Sequence, residues 1–539
     1  MDRAFQGIAQ QTPPVQEIEI PPAARMLDIN CAPPTRTEVK KAIKSLRRGK
    51  AAGPDDIPAE ALQADVETST TMLHQLIKKI WEEEENIPAD WKDGLIAIIP
   101  KKGDLRDCNN YRGIMLLSTP GKVLNRIILE RLRKGVDDEL RENQAGFRNG
   151  RSCSDQIATL RIIIEQSIEW NTSVYVNFID FEKAFDSVDR QLLWQLMAHY
   201  GLPPKYINII KSTYQDMQCQ VLHQGHAQET FSVLTGVKQG CLLSPFLFLL
   251  CIDWIMKQTT HNKKTGIQWN LTQHLEDLDF ADDIALLSHS HQQMHEKSQL
   301  LESTAAGLGL KINGPKTKIM RINNKNTNPI SIGDQTLEEV DKFTYLGSVL
   351  AVGGGTEEDV KARIGKARTT FNILNKIWKT KNISLNTKLK IFNSNVKSVL
   401  LYGSETWRTT INISNKLQTF VKRCLRRILK ILFWPNRITN ISLWETHQTR
   451  TNRGTAVEEK VELDWTHTEE KQHCNNQTNM ALTWKPQGKQ SRGRPKNTWR
   501  STEQEVKGLT WKQLERMAQD RRGWNRFISG LCSERNKKA

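Results

Sequence analysis

The sequence is short of cysteine, of long apolar runs and, over its last third, of acid. Nine cysteines are scattered through 539 residues, with no Cys-x-x-Cys pair and no Cys/His cluster at zinc-ligand spacing. That pattern excludes a disulfide framework and a structural zinc site, and suits free thiols in a reducing compartment. The opening stretch MDRAFQGIAQQTPP lacks the apolar core of a signal peptide. The longest apolar run, Cys241–Met256, is too short to span a bilayer and contains Asp253, so it reads as a buried helix and no membrane partner is expected. Residues 361–539 hold 37 Lys and Arg against 13 Asp and Glu, whereas residues 1–360 hold 40 against 47. The excess cation therefore lies in the last third. This suits a nucleic-acid-binding half joined to a catalytic half; a solvated basic surface is the alternative, and composition alone leaves both open.

Acid is concentrated in two stretches instead. In Leu275–Ser290, LEDLDFADDIALLSHS, two strand-length apolar runs flank Asp282 and Asp283, which reads as a β-hairpin with both carboxylates at its tip. Adjacent carboxylates repel unless a cation compensates them, and Mg²⁺ suits carboxylates that share it with phosphate oxygens. Upstream, VYVNFIDFEKAFDSVDR alternates Val174, Val176 and Phe178 with Tyr175 and Asn177, a strand pattern ending at Asp180. One carboxylate from a strand end and two from a hairpin tip are what two-metal phosphoryl transfer requires. A bare Asp-Asp pair is equally a solvated acidic turn, and spacing alone does not bring Asp180 and Asp282 together.

FADD, FIDFEKAFDSVDR and GVKQGCLLSPFLF, in that order, resemble the reverse transcriptases of non-LTR (LINE-type) retrotransposons, from about Lys50 to Gly347 and in pieces near the C-terminus. The resemblance implies an α+β right-hand polymerase fold of fingers, palm and thumb, with a helical, basic C-terminal module. It implies RNA-directed DNA synthesis by two-metal nucleotidyl transfer, with two Mg²⁺ (Mn²⁺ able to substitute), an RNA template, a DNA primer or target, and dNTPs. Asp180, Asp282 and Asp283 match the metal-binding carboxylates, with the Phe181 carbonyl as an extra ligand. Lys101 and Arg112 match residues that grip the triphosphate, Phe185 the ring that screens the sugar 2′ position, and Gln239 and Gly240 the loop that meets the template. Lys316, with Lys318 as alternative, matches a lysine near the pyrophosphate. Phe147, Arg148 and Arg151 resemble a segment near template, and Tyr345, Leu346 and Gly347 in FTYLGS the hairpin that grips the primer end. Leu242 stands where many relatives carry Pro, and Gly314-Pro315 is unusual before the lysine. The family's endonuclease, usually upstream, is expected to be separate or missing, and the reaction to be nuclear with a cytoplasmic ribonucleoprotein.

Along the chain, residues 1–35 are Pro-rich and read as a linker or tail. Thr35 or Thr37 caps the first helix of an N-terminal extension of the fingers, 36–90, in which Gly53-Pro54-Asp55 marks a turn. Fingers and palm follow over 91–350, with Ser152 or Ser154 capping a helix whose core stripe is Ile157, Leu160, Ile163, Ile164 and Ile168. A helical thumb at 351–440 includes YGSETW and a helix with Phe420, Cys424, Ile428 and Ile431 on its apolar face. Its Lys422, Arg423, Arg426, Arg427 and Lys430 are left to phosphates. Residues 441–539 form a basic nucleic-acid-binding region. Its stretch 446–470 turns acidic without periodicity, which a pair of compensating frameshifts would explain. Arg492, Arg494 and Lys496 in SRGRPKNTWR suit a narrow minor groove, as AT-hook peptides do, or any phosphate. Two rival readings are a catalytically inactive nucleic-acid-binding descendant and a group II intron-type maturase, the latter disfavoured by FTYLGS and YGSETW.

Overall fold

A computed structural model of the chain describes residues 18–430, except 84–86, 102–103, 105, 108–109, 224–225, 261–263, 270–273, 325 and 409, together with Trp484, Pro486 and Gly488. The stretch 446–470, Arg492, Arg494, Lys496 and Ile431 lie outside the described residues. The helices that carry the argument are α1 (Arg36–Lys44), α2 (Val66–Glu83), α3 (Thr119–Val136), α4 (Cys153–Glu169), α5 (Arg190–His199), α6 (Pro204–Tyr214), α7 (Ser244–Thr260), α8 (His291–Gly307), α9 (Glu357–Ile373) and α10 (Ile411–Leu429). The strands are β1 (Gly94–Pro100), β2 (Tyr111–Leu116), β3 (Val174–Ile179), β4 (Gln218–His223), β5 (His226–Ser232), β6 (Asp277–Phe280), β7 (Asp283–Ser288), β8 (Lys318–Ile322), β9 (Glu338–Glu339), β10 (Lys342–Tyr345) and β11 (Ser348–Ala351).

The two larger sheets among the described residues are a four-stranded one ordered β2-β1-β4-β5 and a five-stranded one ordered β9-β8-β3-β7-β6, beside three two-stranded ones that include β10-β11. At the centre of the second lies β3, whose six residues are all buried. Its alternation serves two cores at once. Val174, Val176 and Phe178 pack with Ile157, Leu160 and Ile163 of α4 on one face, and Tyr175 and Ile179 join the core of α7 on the other. Asn177, polar and fully buried, donates from Nδ2 to Ser298 Oγ on α8 at 2.9 Å, which makes its burial tolerable. Covered on both faces, the strand has little freedom to slip, so the residue following it is delivered to a fixed place.

The helix starts follow their side-chain caps. Thr35 forms a capping box with Glu38, Ser118 accepts from Gly121 N with Pro120 in the first turn, and Ser152 forms a box with Asp155. The Gly53-Pro54-Asp55 turn braces the second of these caps. Asp55 Oδ2 accepts from Ser118 Oγ at 2.7 Å, and a Cβ on Gly53 would lie 2.3 Å from the Leu117 carbonyl carbon. Helix α7, read from its apolar run, is buried along nearly its whole length. Among the described residues no helix is long and apolar enough to cross a membrane.

One expectation is overturned. Residues 18–35 are no loose tail: Ile20 and Ile29 are buried, and Ala23 and Leu27 donate to Ala198 O and Gly201 O. Trp81 Nε1 donates to Cys31 O at 2.8 Å, and Arg131 Nη1 to Ala32 O at 2.6 Å. Prolines suppress helix and strand, but an extended strap can still lay isolated apolar residues into a core. Downstream, α9 and α10 build a third core with Phe371, Trp378, Phe392, Val421 and Leu425. Phe420, Cys424 and Ile428 of α10 are buried while Arg423, Arg427 and Lys430 are exposed and Lys422 and Arg426 half-buried. From the C-terminal region, Trp484 is buried against Trp269, with Nε1 donating to Gln268 O at 2.7 Å.

Candidate active site

The β6–β7 hairpin carries the paired acids. Phe280 pairs with Asp283, leaving Ala281 and Asp282 as a two-residue turn, so Asp282 sits at the tip and Asp283 opens β7. In the ladder between β3 and β7, Ile179 faces Ile284, which sets Asp180 beside Asp283 at the same sheet end. The three carboxylates thus share one edge, as the spacing of the motifs alone could not show. Their charges act on one another. Burial raises the Asp282 carboxyl above its ordinary range and the charge of Asp180 adds to it, while Arg112 pulls the other way. Asp283, although exposed, is desolvated at the cleft mouth and repelled by Asp282 and Asp180, and is pushed up to about 6. Among the described residues no three acidic, His or Cys side chains converge tightly enough to enclose an ion. Asp180 Oδ1 instead lies 3.3 Å from Lys316 Nζ. Mutually repelling, all-oxygen donors are nonetheless the chemistry a hard divalent cation takes, so the residues present fit one.

The hairpin tip is held from below by a residue absent from the sequence reading. Gln144 is fully buried; its Oε1 accepts from Ala281 N and from Gly146 N, each at 2.8 Å, and its Nε2 donates to Ala281 O at 3.3 Å. One amide thereby fixes both polar groups of Ala281, which holds the left-handed φ of 57° that a non-glycine residue seldom adopts unaided. Gly146 lies flush against the same turn: a Cβ there would sit 2.2 Å from Ala281 N, a backbone atom that cannot swing aside. Gly146→Ala is therefore expected to displace the tip bearing Asp282 and to lower the turnover of the site about a hundredfold. The stability loss should be only about 1–3 kcal/mol. Rate measurements beside a urea titration check this, and turnover within twofold of wild type would refute it.

Cations gather opposite the acids. Lys101 directly follows β1, and Arg112 is on β2, paired with Ile99. Desolvation lowers the Lys101 ammonium, and the charges of Arg112, Lys316 and Lys183 lower it further, so the four groups lie within electrostatic reach of one another. Lys183, missed in the sequence, follows Asp180 by three residues at a left-handed φ of 47°. Of the two lysines left open downstream, Lys316 reaches Asp180, whereas Lys318 Nζ is spent on Glu338 Oε2 and Pro315 O, both at 2.6 Å. The turn at Gly314-Pro315 presents Lys316 rather than hindering it.

Phe185 is half-buried and stacked on Phe248, centroids 4.5 Å apart, which fixes its ring five residues after Asp180. Gln239 O accepts from Met115 N at 2.7 Å, and Gly240, at φ 119°, passes so close to β2 that a Cβ would lie 2.6 Å from Met115 O. The Gly236–Gly240 loop is thereby bound to the sheet that carries Arg112. Its anchor is Lys238, buried, which donates to Lys92 O and Thr213 O at 2.8 and 2.7 Å. These carbonyls end two helices, where a cation is favoured.

Three expected contacts with nucleic acid are not free to form. Arg148 is buried, donating to Asp137 Oδ1 and O and to the carbonyls of Arg141 and Gln144. Arg151 donates to Glu142 O at 3.2 Å and is partly desolvated by its surroundings. Tyr345 is buried with its hydroxyl on Leu278 O at 2.8 Å. A loop's motif places its backbone near a cleft but does not say which way each side chain turns. Phe147 is 41% exposed, and Leu346 and Gly347 form the β10–β11 turn with φ of 47° and 84°. Phe181 is buried in the core beneath Asp180.

An acidic edge on adjoining antiparallel strands, with Arg112 on a second sheet and Lys101, Lys183 and Lys316 within electrostatic reach, is the arrangement of a palm set against fingers. Residues 99–350 match the model of the reverse transcriptase (RNA-dependent DNA polymerase) family. The relatives are those of non-LTR elements. The chain is 25% identical to the transposon TX1 uncharacterized 149 kDa protein of Xenopus laevis, over 74% of this chain and 30% of the relative. It is 26% identical to the Pol polyprotein of the type-1 retrotransposable element R2 of Popillia japonica, over 73% and 55%. To the RNA-directed DNA polymerase of the mobile element jockey of Drosophila melanogaster it is 24% identical, over 73% and 44%. The chain thus spans between about a third and about half of these relatives' length. Residues 370–402 match a domain of unknown function. Among solved structures, a Candida Tropicalis telomerase with a fragment of telomeric RNA aligns over 76% of this chain and 67% of its own, at 14% identity and a TM-score of 0.38.

Proposed function

We propose that this chain is an RNA-directed DNA polymerase that copies the RNA of its element from a DNA primer. The observation that carries the reading is the single edge shared by Asp180, Asp282 and Asp283, set against Lys101, Arg112, Lys183 and Lys316. Asp180, Asp282 and Asp283 hold divalent cations, Mg²⁺ first and Mn²⁺ in its place, with the Phe181 carbonyl as an added ligand. Such cations, when bound, lower the pKa of the primer 3′-hydroxyl and neutralise the leaving pyrophosphate. The protein's own part is positioning and charge. Arg112 offers a planar fork and Lys101 and Lys316 point charges to the triphosphate, which accumulates negative charge as the bond to its α-phosphorus breaks. Phe185, fixed by Phe248, leaves no room for a ribose 2′-hydroxyl, so dNTPs are selected. Gln239 and Gly240 bring backbone against the nascent base pair, and the exposed cations of α10 hold the duplex behind it.

The test is incorporation of dTTP on poly(rA)/oligo(dT) by the full chain with Mg²⁺ and, separately, Mn²⁺. Primer extension on the RNA template supports the reading. A folded chain that binds the duplex but adds no nucleotide overturns it, in favour of a nucleic-acid-binding descendant that has ceased to turn over.

A further inference from the structure

Tyr402, between the helices that follow α9 and α10, is one of few large aromatic rings left open to solvent, at 43% exposure. It is not loosely held. Its hydroxyl donates to Leu346 O at 3.0 Å, and the Arg363 guanidinium lies 4.3 Å from its ring centre. Arg363 also donates to Gly347 O, so both carbonyls of the β10–β11 turn are bound by this Tyr–Arg pair. The same hairpin is fastened to the two strands that deliver the acids. Phe343 stacks on Phe178 of β3 with centroids 4.0 Å apart, two residues before Asp180. Tyr345 bonds Leu278 of β6, four residues before Asp282. On the other side the Tyr402 hydroxyl meets the Cys153 thiol, which is close enough to Asp283 to feel its charge. The ring therefore stands close to the acidic edge, held in orientation, with Arg363 against it and 43% of the residue still exposed.

An exposed, pre-oriented ring held at both ends is costly unless it meets something: it forgoes burial of its apolar face while its rotamer is already fixed. Stacking against a nucleoside suits it, because every nucleotide presents a flat or apolar face whatever its sequence. We propose that Tyr402 packs against the 3′-terminal nucleotide of the primer strand and holds its 3′-oxygen before Asp180, Asp282 and Asp283. This rests on the polymerase reading. The turn Leu346-Gly347 then acts as a rest for the tyrosine as much as a contact of its own, and Arg363 serves as a positioning residue.

The experiment measures the affinity of the full chain for a DNA primer annealed to RNA, with Tyr402→Leu and Tyr402→Phe as variants. Primers ending in an ordinary or in an abasic nucleotide are compared. Loss of the ring in Tyr402→Leu is expected to weaken primer binding on the order of tenfold and to leave the KM for dTTP unchanged, while Tyr402→Phe keeps most of the affinity. If the leucine effect vanishes with the abasic primer, the contact is to the base; if it persists, the contact is to the sugar. Both support the proposal. Unchanged affinity in Tyr402→Leu overturns it, and so does an equal loss in Tyr402→Phe, which would assign the residue to tethering the turn. Failure of the polymerase reading would be seen separately, as a wild-type chain that binds these primers without extending them, and the affinities would still decide on Tyr402.

Discussion

Asp282→Asn is expected to abolish nucleotide addition, by on the order of a thousandfold or more, while leaving the fold as stable as before or more so. The substitution keeps volume and hydrogen-bonding capacity and removes one charge. In the folded chain that charge is disfavoured: burial and Asp180 hold the Asp282 carboxyl up, and Asp282 in turn helps to push Asp283 to about 6. An acid whose pKa is raised by folding subtracts stability as the pH rises from its unfolded towards its folded value, so with Asp283 at about 6 the repulsion on it is present at pH 7. Neutralising Asp282 relieves it. A residue whose loss leaves stability intact and removes turnover is one retained for chemistry rather than for the fold. Single-nucleotide incorporation and a thermal melt at pH 7, made on the same preparation without added metal for the melt, check both halves. A rate within tenfold of wild type would remove Asp282 from the catalytic set, and a melting temperature lowered by many degrees would make it a structural residue.

What could be read from the sequence follows from how locally each feature is encoded. Asp282 and Asp283 are contiguous, and Asp180 ends a strand whose pattern is visible by itself, so the acids were legible before their meeting place was. Two caps were legible for the same reason, each as one of two neighbouring candidates, since Thr35 and Ser152 act within three residues of themselves. Gln144 was not, because its meaning lies 137 positions away at Ala281. Direction was the other blind spot. Arg148 and Tyr345 belong to segments near the cleft, yet both turn inward, and only the neighbouring chain decides that. Tyr402 erred the opposite way: part of a stretch read as thumb framework, it is the ring that stays outside. The strap at 18–35 lacked periodicity because it packs through single residues rather than through a face.

The strand β6 conceals the largest stability effect. DLDF alternates, and the apolar residues suggest the inner face, yet Asp277 and Asp279 are the ones fully buried along with Leu278. Their counter-charge is Arg141, which donates from Nη1 to both oxygens of Asp277 at 3.0 and 2.8 Å and from Nη2 to Asp279. Its backbone N donates to Asp253 Oδ1 at 2.9 Å, and Asp253 also takes the Tyr200 hydroxyl at 2.6 Å and the Lys257 ammonium at 3.0 Å. Burial alone would discharge the guanidinium, but Asp277, Asp279 and Asp253 outweigh it and hold its pKa up. Burial raises Asp277 as well, and Arg141 more than reverses this; Asp279 is raised by burial and by the charge of Asp277, against the pull of Arg141. Arg141→Met leaves Asp277 and Asp279 buried without their guanidinium, Lys257 being spent on Asp253, and is expected to cost about 3–5 kcal/mol. That is a large part of the roughly 5–15 kcal/mol that holds a domain folded. Because the pair is shielded from solvent, the loss should change little between low and high salt, unlike that of a surface ion pair. Adding Asp277→Asn to the methionine variant removes the orphaned charge and should restore part of the stability, where an independent second lesion would subtract more. Urea midpoints of the two variants decide between these outcomes, and a single-variant loss below about 1 kcal/mol would mean that the acids beneath the catalytic hairpin are neutralised by some means other than Arg141.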